Sequence, residues 1–476
     1  MIVGREIEIS KLKSLVEKSK RSEFYAVYGR RRVGKTYLVR EAFNNNFAFY
    51  HTGLANADMH DQLEAFHNSL RQYGSNVKVR PKNWLQAFHQ LEILLNQSAD
   101  KRKVVFIDEL PWFDTPRSKF LSALEYFWNG WASTRNDIVL IVCGSATSWI
   151  IDNLILNYGG LHNRLTGRIL LEPLCLGECE QMARTKGIGW SRKDIVEAYM
   201  IVGGIPYYWD FFQKSKSLAQ NVDYLFFNPT GELFLEFQAL YKSLFRNASA
   251  HITVVETLSK VQAGMSREDI LKNSGIHDSG KFNKVLQDLE YCGFIRKYST
   301  IDKKRKDSIY QLIDNYTLFY YRYIAENSHN DKHYWSSSLE SSRHSAWSGL
   351  AFERVCMQHI EQIKIALGIS GVITNVYSWR TKQTSEHPAA QIDILIDRKD
   401  NIINLCEAKF TSSPYIMTKK DEEDVLKRVA VFKQSTQTRK TIQTLLITTL
   451  APIDNTHLNT IDNVVTMDKL FALPIL

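Results

Sequence analysis

Short, unbroken apolar runs alternate along the chain with longer stretches in which apolar residues recur every three or four positions. Residues 24–28, 47–50, 104–107 and 138–143 are runs of the first kind and predict buried parallel strands. Residues 59–73 and 84–95 carry the helical period. Strand-forming and helix-forming stretches in alternation predict an α/β first domain built on a parallel sheet. The pattern then changes. Residues 251–260, 266–273 and 279–292 are helical, and two β-rich segments, 294–298 and 308–312, flank the basic turn 302–307. That order predicts a winged helix, with Lys281 and Lys284 on its third helix and Lys303, Lys304, Arg305 and Lys306 in the wing. Between 327 and 345 the chain is polar and rich in Ser and His, which predicts an extended connection. Beyond it, a helix at 351–367, strands at 391–397 and 404–410, a helix at 419–432 and strands at 441–449 and 464–467 predict a second, smaller α/β core.

Composition adds limits. A chain of 476 residues, 44% of them hydrophobic, is long enough for about three domains. No apolar run approaches the roughly 20 residues of a membrane span, and the start Met1-Ile2-Val3-Gly4-Arg5-Glu6 lacks a signal-peptide core, so a cytoplasmic protein with no membrane partner is expected. The cysteines, Cys143, Cys175, Cys179, Cys292, Cys356 and Cys406, show no paired metal-ligand spacing and read as reduced thiols. A net charge of +9 suits contact with phosphate polyanions and equally suits plain solubility.

The chemistry concentrates in two places. Gly29-Arg30-Arg31-Arg32-Val33-Gly34-Lys35-Thr36 is a complete phosphate-binding loop between a strand pattern and a helix pattern. It predicts a bound nucleoside triphosphate, ATP with Mg²⁺. The glycines let backbone N–H groups meet phosphate oxygens, Lys35 reaches the β and γ phosphates, and Thr36 ligates the metal. The run 104–107 ends in Asp108 and Glu109, the place where ligands of parallel sheets lie; Asp108 is the expected metal ligand and Glu109 the expected general base. Ser145, at the end of the 138–143 run, is expected near the γ phosphate, and a helix cap is an equally good reading of its hydroxyl.

The ordered set of Gly4-Arg5-Glu6, the phosphate loop, Asp108-Glu109, Cys143-Gly144-Ser145 and Gly203-Gly204-Ile205-Pro206 resembles prokaryotic P-loop ATPases of the AAA+/STAND type. It is similar to the archaeal and bacterial ATPase family that carries a C-terminal DUF234-type region. The resemblance implies that Gly4, Arg5, Glu6 and Pro206, the last in a helical lid, close over the nucleotide base. It also implies that Arg164 or Arg168 faces the nucleotide, either in cis or across a subunit boundary of an oligomer. A solvated surface arginine is the competing reading.

The second place is C-terminal. Asp393 on one strand pattern and Glu407-Ala408-Lys409 on the next, with Glu353 on the preceding helix, resemble the PD-(D/E)xK nuclease superfamily. Strand alternation puts Glu407 and Lys409 on one face. The resemblance implies a second divalent metal held by Glu353, Asp393 and Glu407, with Glu407 and Lys409 as catalytic groups. A salt-bridge network among the same four residues is the structural alternative.

The expected architecture is therefore α/β: a P-loop ATPase core at 1–172, a helical lid at 173–240, a winged helix at 241–326, a linker at 327–345 and a restriction-endonuclease-like α/β domain at 346–476. The expected function is an ATP-hydrolysing switch or motor coupled to nucleic acid, with DNA met through the winged helix and the nuclease-like domain. The alternative is a nucleotide-regulated scaffold whose nuclease-like domain binds a partner without cutting. A protein-remodelling machine would need a threading loop, and the sequence offers no candidate for one.

Overall fold

Five strands, β1 (Glu23–Tyr28), β2 (Phe49–Thr52), β3 (Lys103–Asp108), β4 (Ile138–Gly144) and β5 (Gly167–Leu170), form one parallel sheet in the order β2-β3-β4-β1-β5. In this computed structural model the described residues are 2–156, 161, 163–245, 247–298, 308–327, 329–381, 383 and 388–473. They fall into two units, Met1–Pro173 and Leu174–Leu476. In the first unit β1, β3 and β4 are buried along their whole length, as unbroken apolar runs with helices on both faces require. The edge strand β5 is one that periodicity does not reveal: it alternates in burial, and Arg168 and Leu170 face outward.

Helices Met59–Gln72 and Trp84–Gln97 cover one face, their N-termini capped by the Asp58 and Asn83 side chains. Each such cap contributes about 1 kcal/mol. Trp84 sits at the centre of the aromatic core, with Phe66, Phe113 and Phe120 at 5.6, 5.3 and 5.0 Å. The sheet thus stands on a rigid base, and its carboxyl ends, where the candidate chemistry lies, are fixed by strand pairing.

The second unit begins with helices Leu176–Thr185 and Arg192–Val202, each opened by a capping box, and the short helix Pro206–Trp209. Helices Ala248–Ser259, Arg267–Ser274 and Gly280–Tyr291 follow, with β6 (Met265–Ser266), β7 (Ile295–Tyr298) and β8 (Ile309–Leu312) in an antiparallel sheet of order β6-β8-β7. The basic turn 302–307, with Lys303, Lys304, Arg305 and Lys306, lies outside the described residues. Lys281 is exposed, and Lys284 pairs with Asp288 one turn on at 3.1 Å.

The last sheet is mixed. β9 (Thr374–Thr381), β10 (Ala390–Arg398) and β11 (Ile402–Lys409) are antiparallel, whereas β12 (Thr441–Thr448) and β13 (Asn463–Thr466) continue in parallel from β11. Between Ile392 and Leu395 the β9–β10 register shifts by one residue, so Asp393 stands in a β-bulge.

Two expectations are corrected here. The polar stretch 327–345, in its described residues, is not an extended connection: Trp335 is buried, its ring packs on Phe319, Tyr323 and Trp347 at 5.3, 4.9 and 5.4 Å, and its backbone N–H donates to Asp223 Oδ1. Burial of one large aromatic side chain outweighs a polar surround. The helix expected at 351–367 starts earlier and is two helices, Ser342–Gln358 and Ile360–Ala366. The break is at His359, whose Nε2 accepts the Leu176 N–H at 2.9 Å while Nδ1 meets the Val355 carbonyl. Among the described residues no helix is long and apolar enough to cross a membrane.

Candidate functional site

The phosphate loop leaves β1 at Gly29 and enters helix Lys35–Ala42 at Gly34. Gly29 has φ of +141°, and a Cβ there would stand 2.3 Å from the Leu171 carbonyl oxygen. Gly34 has φ of +92°. Both positions therefore demand glycine. Lys35 is buried, and its ammonium donates to the carbonyls of Gly29 and Arg30 at 3.0 and 2.9 Å, folding the side chain back along the loop. Arg30 and Val33 are buried, Arg31 and Arg32 half-buried.

The Thr36 hydroxyl donates to Asp108 Oδ2 at 2.7 Å, which brings the two expected metal ligands into contact. The Glu109 N–H donates to Asp108 Oδ1 at 2.8 Å, and the Cys143 thiol donates to the same oxygen. Burial pushes the Asp108 carboxyl above its ordinary range, against the Cys143 and Thr36 hydrogen bonds that favour its charged form. Burial also pushes the Cys143 thiol well up, so it stays a neutral donor. Glu109 sits at φ +50°, and its carboxylate takes two hydrogen bonds from Ser145: from the hydroxyl at 2.6 Å and from the backbone N–H at 3.1 Å. The left-handed backbone at Glu109 is an unusual conformation for a residue with a side chain, and the Ser145 pair helps hold it.

The donors present suit a nucleoside triphosphate with Mg²⁺. Arg31 Nε is buried with no hydrogen-bond partner, an orphan donor within the loop, and Thr36 with Asp108 is an all-oxygen pair of the kind that suits Mg²⁺. Other expected contributors are placed less centrally. Arg5 is buried and donates to the Glu172 carbonyl at 2.6 Å, while Gly4, with φ of +67°, precedes it and Glu6 opens helix Glu6–Glu17 on the exposed side. Arg164 and Arg168 are both exposed. Pro206 opens its helix in the second unit. Sequence reasoning missed Cys143 as a partner of Asp108; its place directly before Gly144-Ser145, at the end of a strand beside β3, was the available signal.

In the C-terminal sheet Glu407 and Lys409 share a face as expected and pair at 2.9 Å. Arg428, from helix Lys419–Thr436, also binds Glu407. Burial opposes charge on Glu407, yet Arg428 and Lys409 together hold its carboxyl below the ordinary range. Burial raises the Asp393 and Glu353 carboxyls, and repulsion from neighbouring carboxylates adds to both shifts. Gln391 donates to Asp393 at 2.6 Å and Gln262 donates to Glu353 at 3.0 Å. The three carboxylates thus feel one another without converging. Among the described residues, the trio with metal-ligating atoms all within 4.8 Å is the exposed Asp58, His60 and Asp61, where Asp58 serves as a helix cap. Arg428 and Gln262 had no signal in the sequence, because neither lies near the E-x-K pattern along the chain.

The parallel sheet, with a phosphate loop after β1 and the adjacent carboxylates Asp108 and Glu109 at the end of β3, makes the first unit an α/β domain consistent with a P-loop NTPase core. Residues 2–210 match the family model described as an ATPase domain predominantly from Archaea. An uncharacterized protein of Methanocaldococcus jannaschii is 24% identical over 375 residues, covering 76% of this chain and 78% of the relative. Among solved structures, the Walker-type ATPase of Pyrococcus abyssi is 17% identical with a TM-score of 0.46, covering 67% of this chain and 95% of that one. The Aeropyrum pernix ORC2 protein, solved as ADPNP and ADP complexes, is 14% identical with a TM-score of 0.37, covering 65% of this chain and 89% of that one.

Proposed function

We propose that this chain is an ATP-binding and hydrolysing switch or motor coupled to nucleic acid. The observation that supports the reading is the pair of contacts Thr36–Asp108 and Glu109–Ser145, which join the two proposed metal ligands and hold the Glu109 carboxylate at the strand ends beside the phosphate loop. Bound Mg²⁺ supplies charge neutralisation at the phosphates. Lys35 leaves its loop carbonyls to meet β and γ oxygens, and backbone N–H groups of residues 29–36 hold the phosphate chain. Glu109 takes the proton of the attacking water once it turns from Ser145, and Ser145 is then free to report on the γ position. Gly4, Arg5, Glu6 and Pro206 are assigned to the base, and Arg164 to the developing charge.

The proposed domains are those expected from the sequence: a core at 1–172, a lid at 173–240, a winged helix at 241–326, the segment 327–345 and a PD-(D/E)xK nuclease-like domain at 346–476. The helix–helix–helix–hairpin order of 248–312, the net charge and the basic turn support DNA as the partner. The bulge at Asp393 and the mutual repulsion among Asp393, Glu353 and Glu407 support a metal-dependent nuclease centre. The ion pair of Arg428 on Glu407 favours a second reading, a scaffold that binds without cutting, because a cation already occupies the carboxylate that a metal would need.

Full-length protein with Mg²⁺ should release phosphate from ATP. Glu109→Gln should retain ATP binding and lose turnover by a factor of roughly 10²–10⁴. Normal turnover in that variant would overturn the assignment. Phosphodiester cleavage that disappears in Asp393→Ala selects nuclease over scaffold.

A further inference from the structure

Within the second unit lies a cavity of about 840 Å³, walled by helix Ala248–Ser259, the β7–β8 hairpin, the segment 313–326, helix Ser342–Gln358 and the strands β9 and β10. Glu353 and Asp393 stand in its wall. So do Arg354, Tyr321 and Trp347, whose Nε, Oη and Nε1 donors are buried without a hydrogen-bond partner; Trp347 is only 4% exposed. Leaving a buried donor unsatisfied costs about 1–3 kcal/mol, more for a charged group. Three such donors, all on residues that line one cavity, suit a ligand rich in acceptors.

The rest of the wall narrows its chemistry. Lys260, Arg296 and Arg322 add positive charge against Glu256 and Glu326, while Leu318, Leu350 and Met357 with the Trp347 ring offer an apolar surface. The volume falls within the range of small-ligand pockets, roughly 300–1,000 Å³, and far exceeds what a bare anion fills. An intact duplex cannot enter unless the walls part. Gln262 ties the 248–262 side of the wall to Glu353, and Arg296 donates to Ser378 at 2.7 Å, whose hydroxyl donates to the Asp393 carbonyl at 2.6 Å. The walls are therefore cross-linked at the acidic residues.

We propose that this cavity binds the phosphate of a nucleotide, free or at the end of a single strand, through Arg354, Tyr321 and Trp347, with the base on the apolar wall. Glu353 and Asp393, two of the four carboxylates in the wall, then face the phosphate, and a divalent cation between them relieves the repulsion. That last element rests on the proposed metal role of Asp393; the phosphate contacts do not. The site is distinct from the phosphate loop of the first unit.

The test uses full-length protein carrying Lys35→Ala, so that the phosphate loop does not take the probe, and calorimetry with thymidine 5′-monophosphate, a 5′-phosphorylated tetrathymidylate and a blunt duplex, each with and without Ca²⁺. One single-stranded or mononucleotide probe should bind once per chain, and duplex binding should not respond to the cavity variants. Tighter binding of the tetranucleotide identifies a strand end as the source; tighter binding of the monophosphate identifies a free nucleotide. Arg354→Met should weaken binding at least tenfold and Tyr321→Phe, which removes one hydroxyl only, several-fold. Asp393→Asn should abolish the Ca²⁺ effect and spare metal-free binding. Binding without cleavage under Mg²⁺ or Mn²⁺ keeps this proposal and removes the nuclease reading. No uptake of either single-stranded probe, or indifference to both Arg354→Met and Tyr321→Phe, overturns it.

Discussion

In the first unit Asp108 and Glu109 receive hydrogen bonds from the Thr36 hydroxyl, the Cys143 thiol and the Ser145 hydroxyl and N–H, all neutral donors. In the second, Glu407 is gripped by two cations, Lys409 and Arg428. The residue types are alike and the electrostatic result is opposite. Neutral donors fix a carboxylate's direction and leave its charge available to a metal ion. Cationic partners cancel that charge, and a metal must displace or compete with them. On the proposed reading, a triphosphate with Mg²⁺ would meet prearranged oxygens in the first unit, whereas a metal at the C-terminal carboxylates would need an exchange of partners.

The largest expected effect that probes this contrast is at Lys35. Lys35→Ala should lower ATP affinity on the order of a hundredfold, about 3 kcal/mol, because the β and γ phosphates lose a buried point charge. Calorimetric titration with ATP reads this directly, and wild-type affinity would remove the loop from the comparison.

Next in size are two buried histidines, one in each unit. Burial holds His51 and His359 down to about 4. The unfolded chain then takes up protons that the fold refuses. Stability from each is complete above the ordinary histidine value of ~6.5 and is lost as pH falls through about 4. Each should contribute on the order of 2–3 kcal/mol over that window. Glu353 works the other way. Its raised carboxyl favours the fold at low pH, and the contribution is lost as pH rises above the ordinary carboxylate range. Acidification from pH 7 to 5 should therefore weaken the His51 and His359 contributions and strengthen that of Glu353. Urea unfolding across pH, with His51→Gln flattening one slope and Glu353→Gln removing the opposing one, checks the sign.

Arg428→Gln makes the contrast smaller by giving Glu407 a neutral partner. Mn²⁺ affinity of the full-length chain should rise by roughly tenfold, since about 1–2 kcal/mol of ion pairing no longer competes. A change confined to thermal stability would favour the scaffold. The smallest effect is at Asp58, whose trio with His60 and Asp61 is exposed. Asp58→Ala should cost about 1 kcal/mol as a lost helix cap and leave Mn²⁺ uptake unchanged.

Much of the first unit was legible along the chain, because its signals are local. Runs of four to six apolar residues located β1, β3 and β4, and the phosphate loop is contiguous, so its residue types and spacing already carry its geometry. Asp108-Glu109 was legible for the same reason, each pair of functional groups being adjacent in sequence. β5 was not, since an edge strand with an exposed Arg168 lacks an apolar run, and neither was β9, which keeps only Trp379 fully buried.

What the tertiary structure decided is partnership. Glu407 and Lys409 share a face by strand alternation alone, which the sequence determines. That Arg428 pairs with Glu407 and Gln262 with Glu353 depends on contacts 21 and 91 residues apart in the chain. Cys143 meets Asp108 across two paired strands, and Trp335 turns a polar stretch into core by joining Tyr323 and Trp347. The physical reason is the same throughout. Backbone geometry and hydrophobic period act over a few residues and can be read in order, whereas the protonation and availability of a buried carboxylate are set by whichever distant side chains packing brings to it.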